Sequence, residues 1–268
     1  MDTMIQSVIF SHQPASKSKH YHDCHEIIFV TQGAAEFTTG FRNYHAKAGD
    51  LILFSRFEEH SVVSRTEDYR RYVLQIAPDI PADPALGRVF SVLFNRPESF
   101  ENLLCCGAEA PEIEHICALL LKEQGSTASF REDMLNLLTQ QLLTLLCRHA
   151  PSLSAAFREN SFETVRHIQR RMERSCGESY LLEDLAAEYG FSASHLSHLF
   201  KRITGTSVMG YLQSCRIAAA KKQLAETTLS VGTVAELCGF GDASNFSRTF
   251  RTFTGMTPTT FRNQYRKE

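Results

Sequence analysis

The sequence contains no apolar run long enough to cross a membrane, which takes about 18 residues, so we expect no transmembrane helix. Residues 1–10 lack a basic segment followed by an apolar stretch, which argues against a secretory signal. We therefore expect a cytoplasmic protein that makes no use of a membrane.

C-x-x-C pairs are also absent, although the chain has eight cysteines. In a chain without an export signal we expect these thiols to be reduced, with those at helical core spacing acting as small apolar fillers. Cys105 and Cys106 are adjacent and cannot form an ordinary metal knuckle. A redox-sensing role for this pair is the alternative.

Net charge is small, at −2, but it is unevenly divided. Residues 161–268 hold 14 basic and 10 acidic side chains, whereas residues 1–160 hold 14 basic and 20 acidic ones. The C-terminal part is thus basic and the N-terminal part acidic. This division favours phosphate contact by the C-terminal part alone.

Two stretches near the C-terminus are copies of each other. Residues 185–200 align with residues 234–250, with one extra residue near Gly241 in the second copy. The likeness continues beyond the stretches, since Tyr211 corresponds to Phe261. A self-repeat of this length predicts two copies of one structural unit.

Each copy has the signals of two helices joined by a tight turn. Gly190 and Gly239 follow an apolar pattern of helical spacing and suit the left-handed residue that ends a helix. Ser192 and Asp242 then stand where a side chain can cap the next helix. We predict helix-turn-helix units over about 182–203 and about 231–253.

The second helix of each unit is predicted to bury an apolar stripe and expose a small, polar and basic face. A major groove admits such side chains. The candidate DNA contacts are Ser194, Ser197, His198, Lys201 and Arg202 in the first unit and Ser244, Asn245, Ser247, Arg248 and Arg251 in the second.

Within this set, Arg248 is the candidate for bidentate contact to guanine, and His198 holds the same place in the first unit. The four serines are smaller candidate base contacts, and Asn245 lies at the edge of the face. Lys201, Arg202 and Arg251 are assigned to phosphates. An ordinary amphipathic helix pair is the alternative, which the duplication argues against.

A connecting helix over about 208–225 would be about 27 Å long. Such a spacer can hold two recognition helices near one helical turn of DNA, about 34 Å apart. One monomer would then read adjacent major-groove segments on one face of the duplex.

At this point the sequence resembles the AraC/XylS family of transcription regulators. The residues that carry the resemblance are 182–203, 216–220, 239–240, 246–248, 255–258 and 261–262. The resemblance implies an all-α, seven-helix DNA-binding domain over 161–268, whose two recognition helices enter successive major grooves of double-stranded DNA.

The first hundred residues alternate short apolar runs with turn residues such as Gly33, Gly40 and Gly49. Segments 27–30, 36–38, 51–54, 61–64 and 71–76 are predicted strands. Many short strands at regular spacing predict a β-barrel or sandwich over 1–104. The fold class is therefore α+β, with two domains.

One spacing in this part is similar to the metal-site motifs of the cupin barrel. It comprises His20, His22, Glu26 and His60, although Ser55 and Phe57 stand where cupins have proline and glycine. On strands, His20, His22 and Glu26 share one side because the side-chain period is two. His25 and His45 flank these segments and are interpreted as surface residues.

Three interpretations of the four residues stay open. They could bind a divalent metal, contact a small-molecule effector such as a sugar or other metabolite, or satisfy each other as polar groups near the barrel mouth. A metal-dependent cupin enzyme fused to a DNA-binding domain is the rival function. The DNA-binding half argues against catalysis as the main role.

Between the two parts, apolar stripes of helical spacing predict a helical pair over 105–150. Covering the barrel is one explanation for the stripes. The family resemblance adds that such a pair carries the contact of a homodimer. Residues 151–160 are predicted to be a linker. Besides DNA and the effector, RNA polymerase is a further candidate partner.

Overall fold

The computed structural model divides the chain into two compact units, Met1–Phe162 with Arg202–Gly205 and Glu163–Lys201 with Thr206–Glu268. The residues that it describes are 3–13, 16–40, 42–77, 89–93, 100–150, 160–204 and 206–266. The predicted linker, 151–160, lies outside the described residues except for its last position. No helix in these ranges is long and apolar enough to cross a membrane.

The first unit begins with nine strands that form two antiparallel sheets. Their order is β1-β8-β3-β6-β9 in one sheet and β2-β7-β4-β5 in the other. The strands are β1 Ile5–Ser11, β2 Ser16–His20, β3 His25–Gln32, β4 Ala34–Thr39, β5 Arg42–Lys47, β6 Asp50–Phe54, β7 His60–Ser64, β8 Arg70–Ile76 and β9 Leu103–Cys105.

The core of this unit lies between the sheets. Phe37 from one sheet and Ile52 and Phe54 from the other are fully buried there. All five predicted strand segments are confirmed, and β1, β2, β5 and β9 are further strands that were not predicted. Gly33, Gly40 and Gly49 all take positive φ at turns. The domain is therefore cupin-like, as expected.

Two helices follow, α1 (Ala110–Gln124) and α2 (Arg131–His149). They pack on each other and on β1, the edge strand of the larger sheet. The Gln124 side chain bonds both backbone groups of Val8, at 2.6 and 3.0 Å, and Asn136 accepts from the Met4 amide at 2.8 Å. The helices thus supply the hydrogen bonds that an edge strand otherwise leaves open.

The C-terminal region is all-helical, and its described residues, 160–204 and 206–266, contain seven helices. The helices are α3 Asn160–Arg174, α4 Leu182–Glu188, α5 Ala193–Thr204, α6 Val208–Glu226, α7 Val231–Leu237, α8 Ala243–Thr254 and α9 Pro258–Tyr265. The predicted pairs α4–α5 and α7–α8 are both present, with α6 connecting them.

The turn signals of the repeat are confirmed. Gly190 and Gly239 have φ of +74° and +79°, the left-handed conformation that ends α4 and α7. The Ser192 hydroxyl accepts from the His195 amide at 3.2 Å, and Asp242 accepts from the Asn245 amide at 2.7 Å. The inner faces of α5 and α8 are buried as predicted, with Phe200, Phe246 and Phe250 fully enclosed.

Candidate functional site

The three predicted histidines of the first unit lie together. The nearest ring nitrogens of His20, His22 and His60 are all within 4.8 Å of one another. His20 pairs with His60 across the β2–β7 ladder. His22 lies in the turn after β2 and Glu26 lies on β3 of the other sheet, so the strand-parity argument was wrong for both, although both side chains reach the cluster.

Glu26 joins the cluster from the opposite sheet. Its carboxylate oxygens lie 3.1 Å from His60 Nε2 and 3.4 Å from His22 Nε2. Burial raises the pKa of Glu26, but the hydrogen bond from His60 and the positive charges of the three histidines outweigh it and leave this pKa lowered. The carboxylate is therefore held as an anion between the two sheets.

The ring of His60 is held in one orientation. Its Nδ1 lies 2.9 Å from the Glu58 carbonyl oxygen, which can only accept, so Nδ1 donates. Its face stacks on Phe54, with ring centroids 3.9 Å apart and planes 7° apart. When His60 is protonated on both nitrogens, its Nε2 donates to the Glu26 carboxylate; in the neutral ring with the proton on Nδ1, the Nε2 lone pair points at the cluster instead. Three imidazoles and one carboxylate, with this bond orienting His60, fit a divalent metal that takes nitrogen and oxygen ligands.

The carboxylate of Glu58 belongs to a buried network that the sequence analysis missed. It accepts from the Ser55 amide and the Asn102 side chain, both at 2.8 Å, and from the Thr39 hydroxyl at 3.3 Å. Glu58 precedes His60 by two residues, which was the only sequence signal for it. The network fixes the loop before β7, on which the orientation of His60 depends.

Phe57 takes a left-handed conformation, with φ of +61°, at the place where cupins have glycine. Its amide donates to the His22 carbonyl at 2.9 Å, and the preceding amide, of Arg56, donates to His25 Nδ1 at 3.2 Å. The loop of Phe57 therefore holds the turn that carries His22. A non-glycine residue in this region is strained by about 1–2 kcal/mol.

His25 is buried, not at the surface as predicted, because it opens a strand whose first six residues are all buried. His45 is exposed, as expected. The filler interpretation of the cysteines at helical core spacing is confirmed for Cys117, Cys215 and Cys238, which are buried, and Cys24 and Cys106 are buried outside the helices. Burial raises the pKa of Cys106 to about 12, which does not favour a reactive partner for the exposed Cys105.

In the C-terminal helical region, the predicted DNA-contact faces of α5 and α8 are open to solvent. Ser197, Asn245 and Ser247 are half-buried, and the side chain of Arg202 lies outside the described residues. The exposed members are Ser194, His198, Lys201, Ser244, Arg248 and Arg251.

Asn245, which was predicted to contact DNA at the edge of the face, also makes side-chain contacts within α8. Its side-chain oxygen accepts from Arg248 Nη2 at 3.3 Å and lies 3.5 Å from the Thr249 hydroxyl. Asn245 thus holds the guanidinium of Arg248 on the exposed face of α8. No sequence pattern marked this bond except the spacing of three residues along a helix.

Comparison with known proteins agrees with both units. Residues 6–157 match the model of the AraC-like ligand binding domain, and residues 185–264 match that of a helix-turn-helix domain. The transcriptional activator RhaR of Escherichia coli O1:K1 is 25% identical over 249 residues, which cover 92% of this chain and 87% of that protein.

Solved structures of ToxT from Vibrio cholerae share the fold. A structure of an apo ToxT variant aligns over 98% of both chains with a TM-score of 0.60 and 16% identity. Another ToxT structure has a TM-score of 0.63 at 12% identity, over 98% of this chain and 99% of that one. Because the family models match residues 6–157 and 185–264, the chain belongs to the AraC family of DNA-binding transcription regulators, with an N-terminal ligand-binding domain and a C-terminal helix-turn-helix domain.

Proposed function

We propose that α5 and α8 are recognition helices that read adjacent major-groove segments of one operator. The observation that carries the proposal is the duplicated unit, in which each helix follows a left-handed glycine, buries its apolar side and exposes small and basic side chains. The connecting helix α6 has 19 residues, about 28 Å at the usual rise per residue. That length suits two reading sites about one DNA turn apart.

The roles of individual side chains follow from exposure and chemistry. Arg248 carries a planar donor pair suited to the O6 and N7 atoms of guanine, and His198 is its counterpart on α5. Ser194, Ser197, Ser244 and Ser247 reach base edges nearby. Lys201, Arg202 and Arg251, further along the helices, hold phosphates.

Selection of binding sites from a randomised duplex library tests these roles. We expect the wild type to select two blocks of bases. Arg248→Ala should lose preference at one base position, at a cost of about 1–3 kcal/mol. The matched control is Arg251→Ala, from the same helix, which should weaken binding to all sequences alike and reduce its salt dependence. An unchanged preference in Arg248→Ala would contradict base reading by α8.

We propose that a small-molecule effector, a sugar or other metabolite, binds between the two sheets at His20, His22, Glu26 and His60. The support is that a turn and three strands bring four polar side chains to one point between the two sheets. An effector changes DNA binding only if its affinity differs between two states of the protein.

A thermal-shift screen of the full chain against sugars and organic acids tests the effector site. A ligand that acts here should raise the unfolding midpoint of the wild type and of His45→Ala, in which an exposed histidine of β5 is replaced. It should not raise the midpoint of His20→Ala. A ligand that shifts all three proteins equally would place the site elsewhere.

We propose that α2 forms the contact of a homodimer. This helix buries one apolar stripe in its own unit, including Leu135, Leu138 and Leu142. A second apolar stripe begins at Phe130 and continues on the exposed side, where Phe130, Met134 and Leu137 are 80%, 47% and 59% exposed. A helix that is apolar on two sides is expected to have a second partner.

Sedimentation analysis of charged variants tests the dimer. Met134→Glu with Leu137→Glu should shift the protein towards monomer, because the introduced charges would be buried across the interface without partners. The control is Val63→Glu, the same change at an exposed apolar residue of β7. Equal dissociation of both proteins, or of neither, would argue against α2.

The similarity to transcriptional activators supports two further parts of the proposal. We propose that the protein acts as a regulator rather than as a metal-dependent enzyme, and that it works in the cytoplasm, where it reaches DNA. RNA polymerase is its proposed protein partner at promoters.

A further inference from the structure

The turn of the second helix-turn-helix unit touches the loop between α3 and α4. A Cβ atom placed on Gly177, in that loop, would lie 2.5 Å from the Leu237 carbonyl oxygen. A Cβ on Gly239, in the turn, would lie 2.7 Å from the Gly177 carbonyl oxygen. The two backbones are therefore in direct contact, and only glycine permits the approach at either position.

Arg216, from the connecting helix α6, closes this contact from the side. Its Nε donates to the Cys176 carbonyl at 2.9 Å, and its Nη2 donates to the Glu178 carbonyl at 2.8 Å. Its guanidinium carbon lies 6.0 Å from the centre of the Phe240 ring and 3.0 Å from the Cβ position of Gly239. One side chain thus contacts both the loop and the turn, and we call this contact the Arg216 clamp.

The contact continues to the recognition helix. Phe240 packs on Phe246, with ring centroids 5.0 Å apart, and Phe246 is fully buried on the inner side of α8. A displacement of the turn would therefore move the helix that presents Arg248.

Among the described residues, the first helix-turn-helix unit, α4–α5, has no such contact at its turn glycine, Gly190. A Cβ on Gly190 would meet none of them within 4 Å, although Gly190 and Gly239 have nearly the same φ. The repeat is thus symmetric in conformation but asymmetric in contacts. This difference argues that the clamp serves the placement of the second unit and not the formation of a helix-turn-helix as such.

We propose that Arg216 is a positioning residue for DNA recognition, which together with Gly177 fixes the second helix-turn-helix unit against the α3–α4 loop. The Arg216 clamp fixes α8 relative to α5. The DNA contacts of the second helix-turn-helix unit then add to those of the first without a further entropic cost of ordering. This inference rests on the proposed function, in which both helices read one operator.

The chemistry of the clamp requires the guanidinium. Its planar fork satisfies two carbonyl oxygens and the ring face together, whereas the ammonium of lysine is a flexible point charge. Arg216→Gln removes the charge and most of the reach, and Arg216→Lys keeps only the charge. Gly177→Ala pushes the same contact apart from the other side, without replacing Arg216.

Binding to scrambled operators tests the proposal. The full chain is titrated on the selected two-block duplex and on duplexes with either block scrambled. The second unit's block is the one in which Arg248→Ala loses its preference. Two controls are matched to the variants. Lys222→Gln, the control for Arg216→Gln, removes a charge from an exposed site on α6. Gly232→Ala, the control for Gly177→Ala, adds a methyl group in α7, where among the described residues only Ser230 Oγ lies within 4 Å of the added Cβ, at 3.8 Å.

For the wild type and both controls, scrambling the second block should weaken binding about 100-fold, as expected for the loss of several base contacts. Arg216→Gln and Gly177→Ala should bind the intact operator at least about 30-fold more weakly, and scrambling the second block should then cost them less than about threefold. Their dependence on the first block should not change. Arg216→Lys should fall between Arg216→Gln and the wild type.

Circular dichroism at the binding temperature establishes that each variant is folded, and any variant that is not folded is replaced in the comparison by Arg216→Lys. Folded clamp variants that keep the wild-type dependence on both blocks would overturn the positioning role. A wild type that selects only one block would instead overturn the proposed two-groove function, so the two failures are distinguishable.

Discussion

The guanidinium of Arg248 donates to the side-chain oxygen of Asn245, three residues earlier on α8, with 3.3 Å between Nη2 and Oδ1. Asn245→Ala should leave the preferred base unchanged but weaken specific binding, because Arg248 would have to be ordered on binding. Immobilising such a side chain costs about 0.5–1.5 kcal/mol. Anisotropy titration on the selected operator measures this loss.

Asn245→Asp is the matched comparison, since it keeps an acceptor at the same place. Its added negative charge should weaken binding to every duplex, and increasingly so at low salt. A change of the selected base in Asn245→Ala would show that Asn245 reads DNA directly.

The two turn glycines should respond unequally to a methyl group. Gly190→Ala should destabilise the protein by about 1–2 kcal/mol, the cost of a side chain at positive φ. Gly239→Ala should cost about 1–3 kcal/mol more, because its Cβ would also meet Arg216 and the Gly177 carbonyl. Urea unfolding of both variants measures the difference. Equal losses in the free energy of unfolding would mean that Arg216 and the Gly177 carbonyl move aside with no energetic penalty.

The histidine cluster should bind a divalent cation. Addition of Zn²⁺ or Co²⁺ to the chelator-treated protein is expected to raise its unfolding midpoint, since a ligand at 100 times its Kd stabilises by about 2.7 kcal/mol. His60→Ala should abolish this shift, and His45→Ala should keep it. A full shift in His60→Ala would exclude the cluster as the metal site.

Glu26 should make stability depend on pH in the acid range. Its pKa in the folded protein lies below the ordinary value of 4.5, so the ionised carboxylate stabilises the fold above that pH, and this contribution is lost as the pH falls through the lowered pKa. With chelator present, the difference in free energy of unfolding between wild type and Glu26→Gln should shrink from about pH 5 to about pH 3. A constant difference would mean that the charge is not what Glu26 contributes.

Sequence reasoning reached the candidate site only in part. His20, Glu26 and His60 were found by spacing, and the structure brings them together. The strand-parity argument was wrong for His22 and Glu26, because β2 ends before His22 and Glu26 lies on β3 of the other sheet. Glu58 was missed, because its partners Asn102 and Thr39 are 44 and 19 residues away and no periodicity links them.

Phe57 departs from the cupin motif in sequence, and only the structure shows what the backbone does at this position. A phenylalanine in place of glycine suggested a degenerate motif, yet the backbone keeps the conformation that glycine would adopt. The bond to the His22 carbonyl and the burial of the ring hold it there. Strain of this kind has no local sequence signature, because the surroundings maintain it.

The sequence alone determined the local features of this protein: the duplicated helix-turn-helix, its glycine turns and caps, the exposed faces of α5 and α8, and the alternating strands. Each of these depends on residues a few positions apart, where backbone preference and periodicity act. Only the tertiary structure decided the clamp of Arg216 on Cys176, 40 residues away, and the bond of Glu58 with Asn102, 44 residues away. Such contacts arise when whole elements pack, and packing depends on shape across the fold rather than on neighbouring residues.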